Sequence, residues 1–354
     1  MKTVTILGGG GTGCTMAADN SLRGNSVRLW EDGRYYHENL AAVEEAGGLE
    51  MTGAAGQGFA KISGLGKNMA EAVEGAEVVL IAALASRHAE IAAELAPLLK
   101  PGQTVLFSAG NCGSITLKKT PGLHPEVVVG EMSGNVLPCR IVGRARVFAA
   151  FPYKTKNMAA FPAVDNGRLL AAVAGVYDGA ALGNVLEAAL NSPNVVIHLA
   201  GSILNTCGID RHPDFRLYTD GLSEHVLKVV EAVEAEKIKV LEALGYKIVR
   251  HAPFMRQLAQ YGQFPEFDGF RSVSGPSAMD HRYLTEDAAF GQSLLRSVAG
   301  ALKIDLPVSL ALMTLAGTIN GRDYFSTGLT LEKLGLGGMK RDEINQYLRT
   351  GQAA

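Results

Sequence analysis

The sequence predicts an α/β domain built on a parallel sheet, followed by an all-helical domain. Three observations carry this. Over the first half, uninterrupted apolar runs of strand type alternate with helical stretches, as expected of parallel strands covered on both faces. From about Gly183 onward the strand runs vanish and apolar residues recur at helical spacing. At 354 residues the chain also exceeds what one core usually serves, so two domains are expected.

Taken in order, Val4-Thr5-Ile6-Leu7 reads as the first strand and feeds Gly8-Gly9-Gly10-Gly11-Thr12-Gly13, after which a helix of small residues runs from Cys14 to Leu22. The register Gly8-x-Gly10-x-x-Gly13 supplies a tight turn, a place where backbone can touch a pyrophosphate, and close packing of helix on strand. The amides at the head of that helix suit phosphate oxygens, which makes Gly8, Gly10, Gly11, Thr12 and Gly13 candidate cofactor-binding residues of a Rossmann-type site. After the turn at Gly24-Asn25, the second strand Ser26 to Trp30 ends at Glu31-Asp32, close to the spacing of a ribose-binding carboxylate. Glu31 is chosen for that role. It would accept hydrogen bonds from a ribose 2′-hydroxyl and repel a 2′-phosphate, which favours NAD, while Arg28 and Arg34 keep NADP as the alternative.

The alternation continues through Val78 to Ala83, a helix from His88 to about Ala96, and the strand Thr104 to Ser108. Ligands bind beyond the carboxyl ends of such strands, so Ala83 to His88 and Ser108 to Gly113 should border the cofactor. His88 is read as capping or lining its loop. Val127 to Gly130 makes a further strand, and its end, Glu131-Met132-Ser133-Gly134-Asn135, should open on the same side. Arg146 to Ala150 and Met158 to Phe161 look like an antiparallel pair around Lys154-Thr155-Lys156-Asn157.

In the second half, Ser192 can cap a helix and Pro193 suits its first turn, because the missing N–H would be unpaired there anyway. The helix is expected to run through Leu204 and Asn205. Asn194, His198 and Asn205 then fall on one face of an apolar helix. Read alone, a histidine there is an ordinary core side chain. Ser223 to Leu244, stopped by Gly245, reads as a long amphipathic helix; Asp287 to Leu302, Pro307 to Asn320 and Arg341 to Arg349 are further helices. Arg282-Tyr283-Leu284-Thr285-Glu286-Asp287 is the second chemical cluster. Asp287 at a helix start has an ordinary explanation in the unpaired amides there, and Arg282 is a planar fork suited to a carboxylate. The place where the two halves meet is the expected small-molecule site.

Composition narrows the partners. A formal charge of −2 with 19% charged residues offers no basic field for nucleic acid or an anionic membrane. The cysteines Cys14, Cys112, Cys139 and Cys207 are scattered without ligand spacing, which fits reduced thiols and no metal site. Neither a signal peptide nor an apolar run of membrane-spanning length is evident, so a cytoplasmic protein is expected.

With these residues in hand, the chain resembles the opine dehydrogenases of octopine, nopaline and N-(1-carboxyethyl)amino-acid types. Four blocks carry the resemblance in family order: Gly8 to Gly13; Asn194-x-x-x-His198 with Asn205; Arg282-Tyr283-x-x-Glu286-Asp287 with Gly291; and Thr330-Leu331-Glu332-Lys333-Leu334-Gly335-Leu336-Gly337-Gly338. The first is generic and the last three together are specific. The resemblance implies a Rossmann domain over 1–182 and, over 183–354, a helical catalytic domain like that of 6-phosphogluconate dehydrogenase. It implies an NAD(P)-dependent oxidoreductase acting on CH–NH donors, which joins an amino acid to a 2-oxo acid such as pyruvate, or runs the reverse oxidation. Under it, His198 is the acid/base, Asp287 its partner and Arg282 the substrate-carboxylate anchor; Asn194, Asn205, Glu131 and Ser133 are substrate-pocket residues, and a homodimer is the assembly to consider. One departure stands out, because Met132 occupies a place where family members carry threonine, so substrate contacts there differ. The rival readings are a reductase of 3-hydroxy acids, glycerol phosphate or ketopantoate, which leans on a lysine absent from Asn194 to Asn205, and a nucleotide-binding protein without turnover.

Overall fold

Along the first strand, β1 (Thr3–Leu7), Val4 and Ile6 pack into one core while Leu7 packs into another, so alternate side chains serve opposite faces of the sheet. Such a strand must be covered on both sides. The computed structural model describes residues 1–151 and 155–352 and divides into two compact units, Met1–Val185 with Leu348–Gly351, and Leu186–Tyr347.

In the first unit the chain continues through β2 (Ser26–Trp30), β3 (Gly48–Gly53), β4 (Gly58–Lys61), β5 (Gly64–Gly66), β6 (Val78–Ile81), β7 (Thr104–Phe107), β8 (Val128–Met132), β9 (Cys139–Gly143), β10 (Arg146–Ala149), β11 (Lys156–Ala160) and β12 (Gly179–Ala181). Among the described residues the main sheet has the order β12-β11-β8-β7-β6-β1-β2-β5. Its pairs are parallel except β11 with β8. The helices of this unit are α1 (Gly11–Leu22), α2 (Glu38–Ala46), α3 (Met69–Val73), α4 (His88–Leu95), α5 (Gly113–Lys119) and α6 (Asn166–Val173). Val78 and Leu80 join the core on the α1 side, and Val79 and Ile81 the core on the α4 side.

A second sheet, of order β4-β3-β10-β9, adds Leu49, Met51, Val147 and Ala149 to the core on the α1 side. This corrects the expected hairpin: β10 pairs with β3 and β9, whereas β11 pairs with β8 in the main sheet. Of the turn assigned to that hairpin, Lys154 lies outside the described residues, and Lys156 and Asn157 already belong to β11.

The second unit is helical. Its elements are α7 (Val185–Leu190), α8 (Pro193–Ile203), α9 (Thr206–Arg211), α10 (Leu217–Asp220), α11 (Glu224–Leu244), α12 (Ala252–Ala259), α13 (Asp268–Arg271), α14 (Arg282–Glu286), α15 (Ser293–Leu302), α16 (Pro307–Asn320), α17 (Tyr324–Thr327) and α18 (Arg341–Thr350). Ser223 Oγ accepts the Val226 amide at the head of α11, a cap worth about 1 kcal/mol, and Gly245 closes it in the left-handed conformation at φ 76°. α16 begins at Pro307 and ends at Asn320, as its pattern predicts. Between α14 and α15 the backbone does not restart; Asp287–Gln292 form a π-helical turn, so 282–302 is one helical run. No helix among the described residues is long and apolar enough to cross a membrane.

Candidate active site

In the second unit, α8 is buried on every side from Val195 to Ile203, and His198 is 4% exposed in its middle. Pro193 opens the helix as predicted. Ser192 occupies the capping position, but its side chain makes no capping bond. The helix ends earlier than expected, at Ile203. Asn205 follows as the first residue before α9, and its Nδ2 donates to the carbonyls of Gly201 at 2.8 Å and Gly221 at 3.0 Å. Its amide ties the end of α8 to the turn before α11. Asn194 is half-buried one turn before His198.

The π-helical turn explains how Asp287 reaches α8. A turn closed by i→i+5 bonds brings residues five apart to one side, and such turns recur at functional sites. Here that side carries Asp287, Gly291 and Gln292. A Cβ at Gly291 would lie 3.2 Å from Val195 Cγ2, and Gln292 Nε2 donates to the Val195 carbonyl at 2.5 Å. With the turn seated at Val195, Asp287 meets the residue three further along α8: Asp287 Oδ2 lies 2.6 Å from His198 Nδ1. Asp287 is thus inside a helical run and not at a helix start, which removes the ordinary explanation for it. The two residues just before Thr330 pack on the same turn, since the Leu329 amide donates to the Ala289 carbonyl at 2.6 Å and a Cβ at Gly328 would strike Ser293 Oγ.

Two aromatic residues stand beside this pair: Tyr218, which no sequence signal discloses, and Tyr283, which the sequence places in the second chemical cluster without a role. The Tyr218 hydroxyl lies 3.3 Å from His198 Nε2, and the Tyr283 ring stacks on the imidazole. With a carboxylate on Nδ1, that nitrogen carries the proton and Nε2 of the neutral ring is the acceptor, so Tyr218 donates to it. Arg282 opens α14 half-buried, its Nη1 3.8 Å from Glu286 Oε2 one turn on.

In the first unit the glycine loop is built for close approach. Gly8 has φ 119°, and a Cβ at Gly13 would lie 1.7 Å from the Gly8 carbonyl oxygen. A Cβ at Gly10 would meet nothing within 4 Å, and Gly10 heads α1 with no side chain capping it. The amides of Gly11, Thr12 and Gly13 have no partner among the described residues, which is what a pyrophosphate cradle requires. Glu31 is buried beside this loop: its Oε2 accepts the Gly9 amide at 2.7 Å, its Oε1 accepts the Asp32 amide at 2.9 Å, and Arg87 Nη2 lies 2.9 Å from Oε1. Arg28 is turned away onto the carbonyls of Glu71, Ala72 and Glu74, and Arg34 pairs with Asp32 and Glu90.

The loop after β7 holds Ala109, Asn111 and Cys112 at φ 54°, 45° and 63°, a cluster of left-handed non-glycine residues of the kind found at ligand sites. Glu131 holds it from beneath. Its carboxylate accepts the Cys112 amide at 3.0 Å and the Ser114 hydroxyl at 2.7 Å, and burial pushes its pKa up to about 7. Glu131 is 0% exposed, so its carboxylate supports this loop from the interior. Ser133, half-buried after β8, donates its amide to the Asn157 carbonyl, and Met132 is buried. His88 is buried against Phe107 with Nε2 near the Ala83 carbonyl; burial lowers its pKa to about 4, which keeps it neutral. All four cysteines are free, and no cluster among the described residues could hold a metal.

The profile of the NAD/NADP octopine/nopaline dehydrogenase alpha-helical domain matches residues 181–320. The opine dehydrogenase of Arthrobacter sp. (strain 1C) is 28% identical over 350 residues, covering 96% of both chains. The vitopine synthase of Allorhizobium ampelinum is 25% identical over 361 residues, again covering 96% of both. Among solved structures, octopine dehydrogenase with NADH and L-arginine superposes with a TM-score of 0.72 at 16% identity, covering 100% of this chain and 99% of that one, a likeness of fold.

Proposed function

The chain belongs to the opine dehydrogenase family, and from that premise we propose that it condenses an amino acid with a 2-oxo acid such as pyruvate, reductively and with NAD(P)H, to an N-(carboxyalkyl)amino acid. The observation that carries this reading is the buried pair of His198 Nδ1 and Asp287 Oδ2 at 2.6 Å, with Nε2 facing the Tyr218 hydroxyl. The amine adds to the oxo carbon and the carbinolamine loses water to give an imine; a bound reduced nicotinamide would supply the hydride that saturates it. As the imidazolium, His198 gives its Nε2 proton to the departing hydroxyl, and in the oxidative direction the neutral ring takes one at Nε2 from the attacking water. Asp287 fixes the tautomer and stabilises the imidazolium; help of this kind is worth roughly 10²–10⁴ in rate. Arg282 grips a substrate carboxylate through its planar fork, and Asn194 offers an amide one turn before His198. The amides of Gly11, Thr12 and Gly13 would hold the pyrophosphate, with Gly8 and Gly10 shaping the turn and Glu31 the residue to meet the ribose.

We read residues 1–182 as the dinucleotide-binding domain and 183–354 as the catalytic one, in a cytoplasmic homodimer. The deciding experiment is consumption of NADH and NADPH across a matrix of 2-oxo acids and amino acids, with product masses read out. Oxo-acid consumption that needs no amine would return the chain to the simple reductases. Nucleotide binding without any turnover would make it a binding protein.

A further inference from the structure

The ribose end of the glycine loop carries a cation that the motif does not require. Arg87 lies in the loop between β6 and α4, with its side chain 12% exposed against 4% for Glu31, and the two are joined through Nη2 and Oε1 at 2.9 Å. Its guanidinium carbon sits 3.9 Å from the centroid of the Tyr35 ring, a contact that holds the plane flat. Its Nε is buried and makes no hydrogen bond. A buried donor left unpaired costs free energy, so an acceptor supplied by a ligand is favoured there.

Glu31 alone would reject a nucleotide with a 2′-phosphate, since two anions in a poorly screened site repel strongly. The ion pair changes that balance. Arg87 cancels the carboxylate's charge and brings a planar fork, suited to phosphate oxygens, to the same place. The other two arginines nearby are committed, Arg28 to backbone carbonyls and Arg34 to Asp32 and Glu90. We propose that Arg87 is the residue that sets dinucleotide choice, admitting the 2′-phosphate of NADPH beside Glu31 so that the chain accepts both nucleotides. This rests on reading the glycine loop as a dinucleotide site and is independent of the reaction catalysed.

Trp30 is the chain's single tryptophan and immediately precedes Glu31, so energy transfer from Trp30 to a reduced nicotinamide reports binding without turnover. NADH and NADPH are titrated into the full chain and into Arg87→Gln, Arg87→Lys and Glu31→Gln. For Arg87→Gln the ratio of the NADPH to the NADH dissociation constant rises at least about tenfold. Arg87→Lys, which keeps the charge but loses the planar fork, gives a ratio between those of the parent and Arg87→Gln and checks that the loop folds; Glu31→Gln lowers the ratio. A ratio that is unchanged or falls in Arg87→Gln overturns the proposal and leaves Arg87 as a residue that merely positions Glu31. Binding of neither nucleotide by the parent chain overturns the dinucleotide reading itself.

Discussion

The ring of Tyr283 lies flat on the imidazole of His198, with centroids 3.6 Å apart and planes 11° from parallel. Together with Asp287 on Nδ1 and Tyr218 on Nε2, the stack constrains the imidazole on one face and at both nitrogens. A ring held this way pays little reorganisation when it gains or loses a proton, which is the condition for efficient proton transfer.

Removing the ring tests the central role. His198→Ala is expected to bind NADH as the parent does and to lose turnover by at least about a hundredfold. Asp287→Asn keeps the shape of the pair but not its charge, so the imidazolium is less stable, turnover falls and the histidine limb of the kcat/KM profile moves to lower pH. Unchanged turnover in the first variant, or an unmoved limb in the second, would remove the dyad from the mechanism.

Tyr218 supplies a second, separable test. Its hydroxyl donates to Nε2 of the neutral ring and so favours the neutral form, while its ring packs on Phe270 at 4.4 Å. Tyr218→Phe keeps that packing and removes the donor. The expected result is a histidine limb displaced to higher pH, the opposite direction to Asp287→Asn, with the melting temperature retained. A profile that does not move would leave Tyr218 as a packing residue.

These contrasts bear on what the sequence could disclose. The glycine loop, α11 and α16 were legible because each is specified locally, by spacing, caps and period. The second sheet was not: its strands Gly48–Gly53 and Gly58–Lys61 are short and carry glycines at their ends, and their pairing comes from tertiary contact. Tyr218 sits in a four-residue helix 20 positions after His198, and no periodicity joins them. Nor does the sequence disclose that Asp287 lies on a π-helical turn. Arg87 did leave a trace, since it stands in a loop expected to border the cofactor, yet its contact with Glu31 joins residues 56 positions apart and no spacing discloses it.

Arg282 separates binding from chemistry. It stands five residues before Asp287 on the same helical run, its guanidinium 3.8 Å from Glu286 and 30% exposed. Arg282→Lys keeps a positive charge but loses the planar fork, so the KM for the carboxylate substrate should rise about tenfold, the worth of one lost charge-assisted bond, with a smaller change in kcat. Glu286→Gln is the control. If it reproduced the KM effect in full, the ion pair would matter and substrate contact would not.

Glu131 makes stability depend on pH. Burial raises its pKa to about 7, well above an unfolded glutamate, so the folded chain binds a proton that the unfolded chain has released. The sign follows directly: the contribution is full below the unfolded value near 4.3 and is lost as pH rises through about 7. At about 1.4 kcal/mol per pKa unit, the swing is on the order of 3 kcal/mol. Glu131→Gln mimics the protonated form, keeping an acceptor for the Cys112 amide and presenting its amide to the Ser114 hydroxyl. Urea midpoints measured from pH 5 to 8 should therefore fall with pH in the parent more steeply than in the variant. Parallel slopes would mean that Glu131 stays ionised throughout, its charge carried by the amides and hydroxyl of the loop it supports.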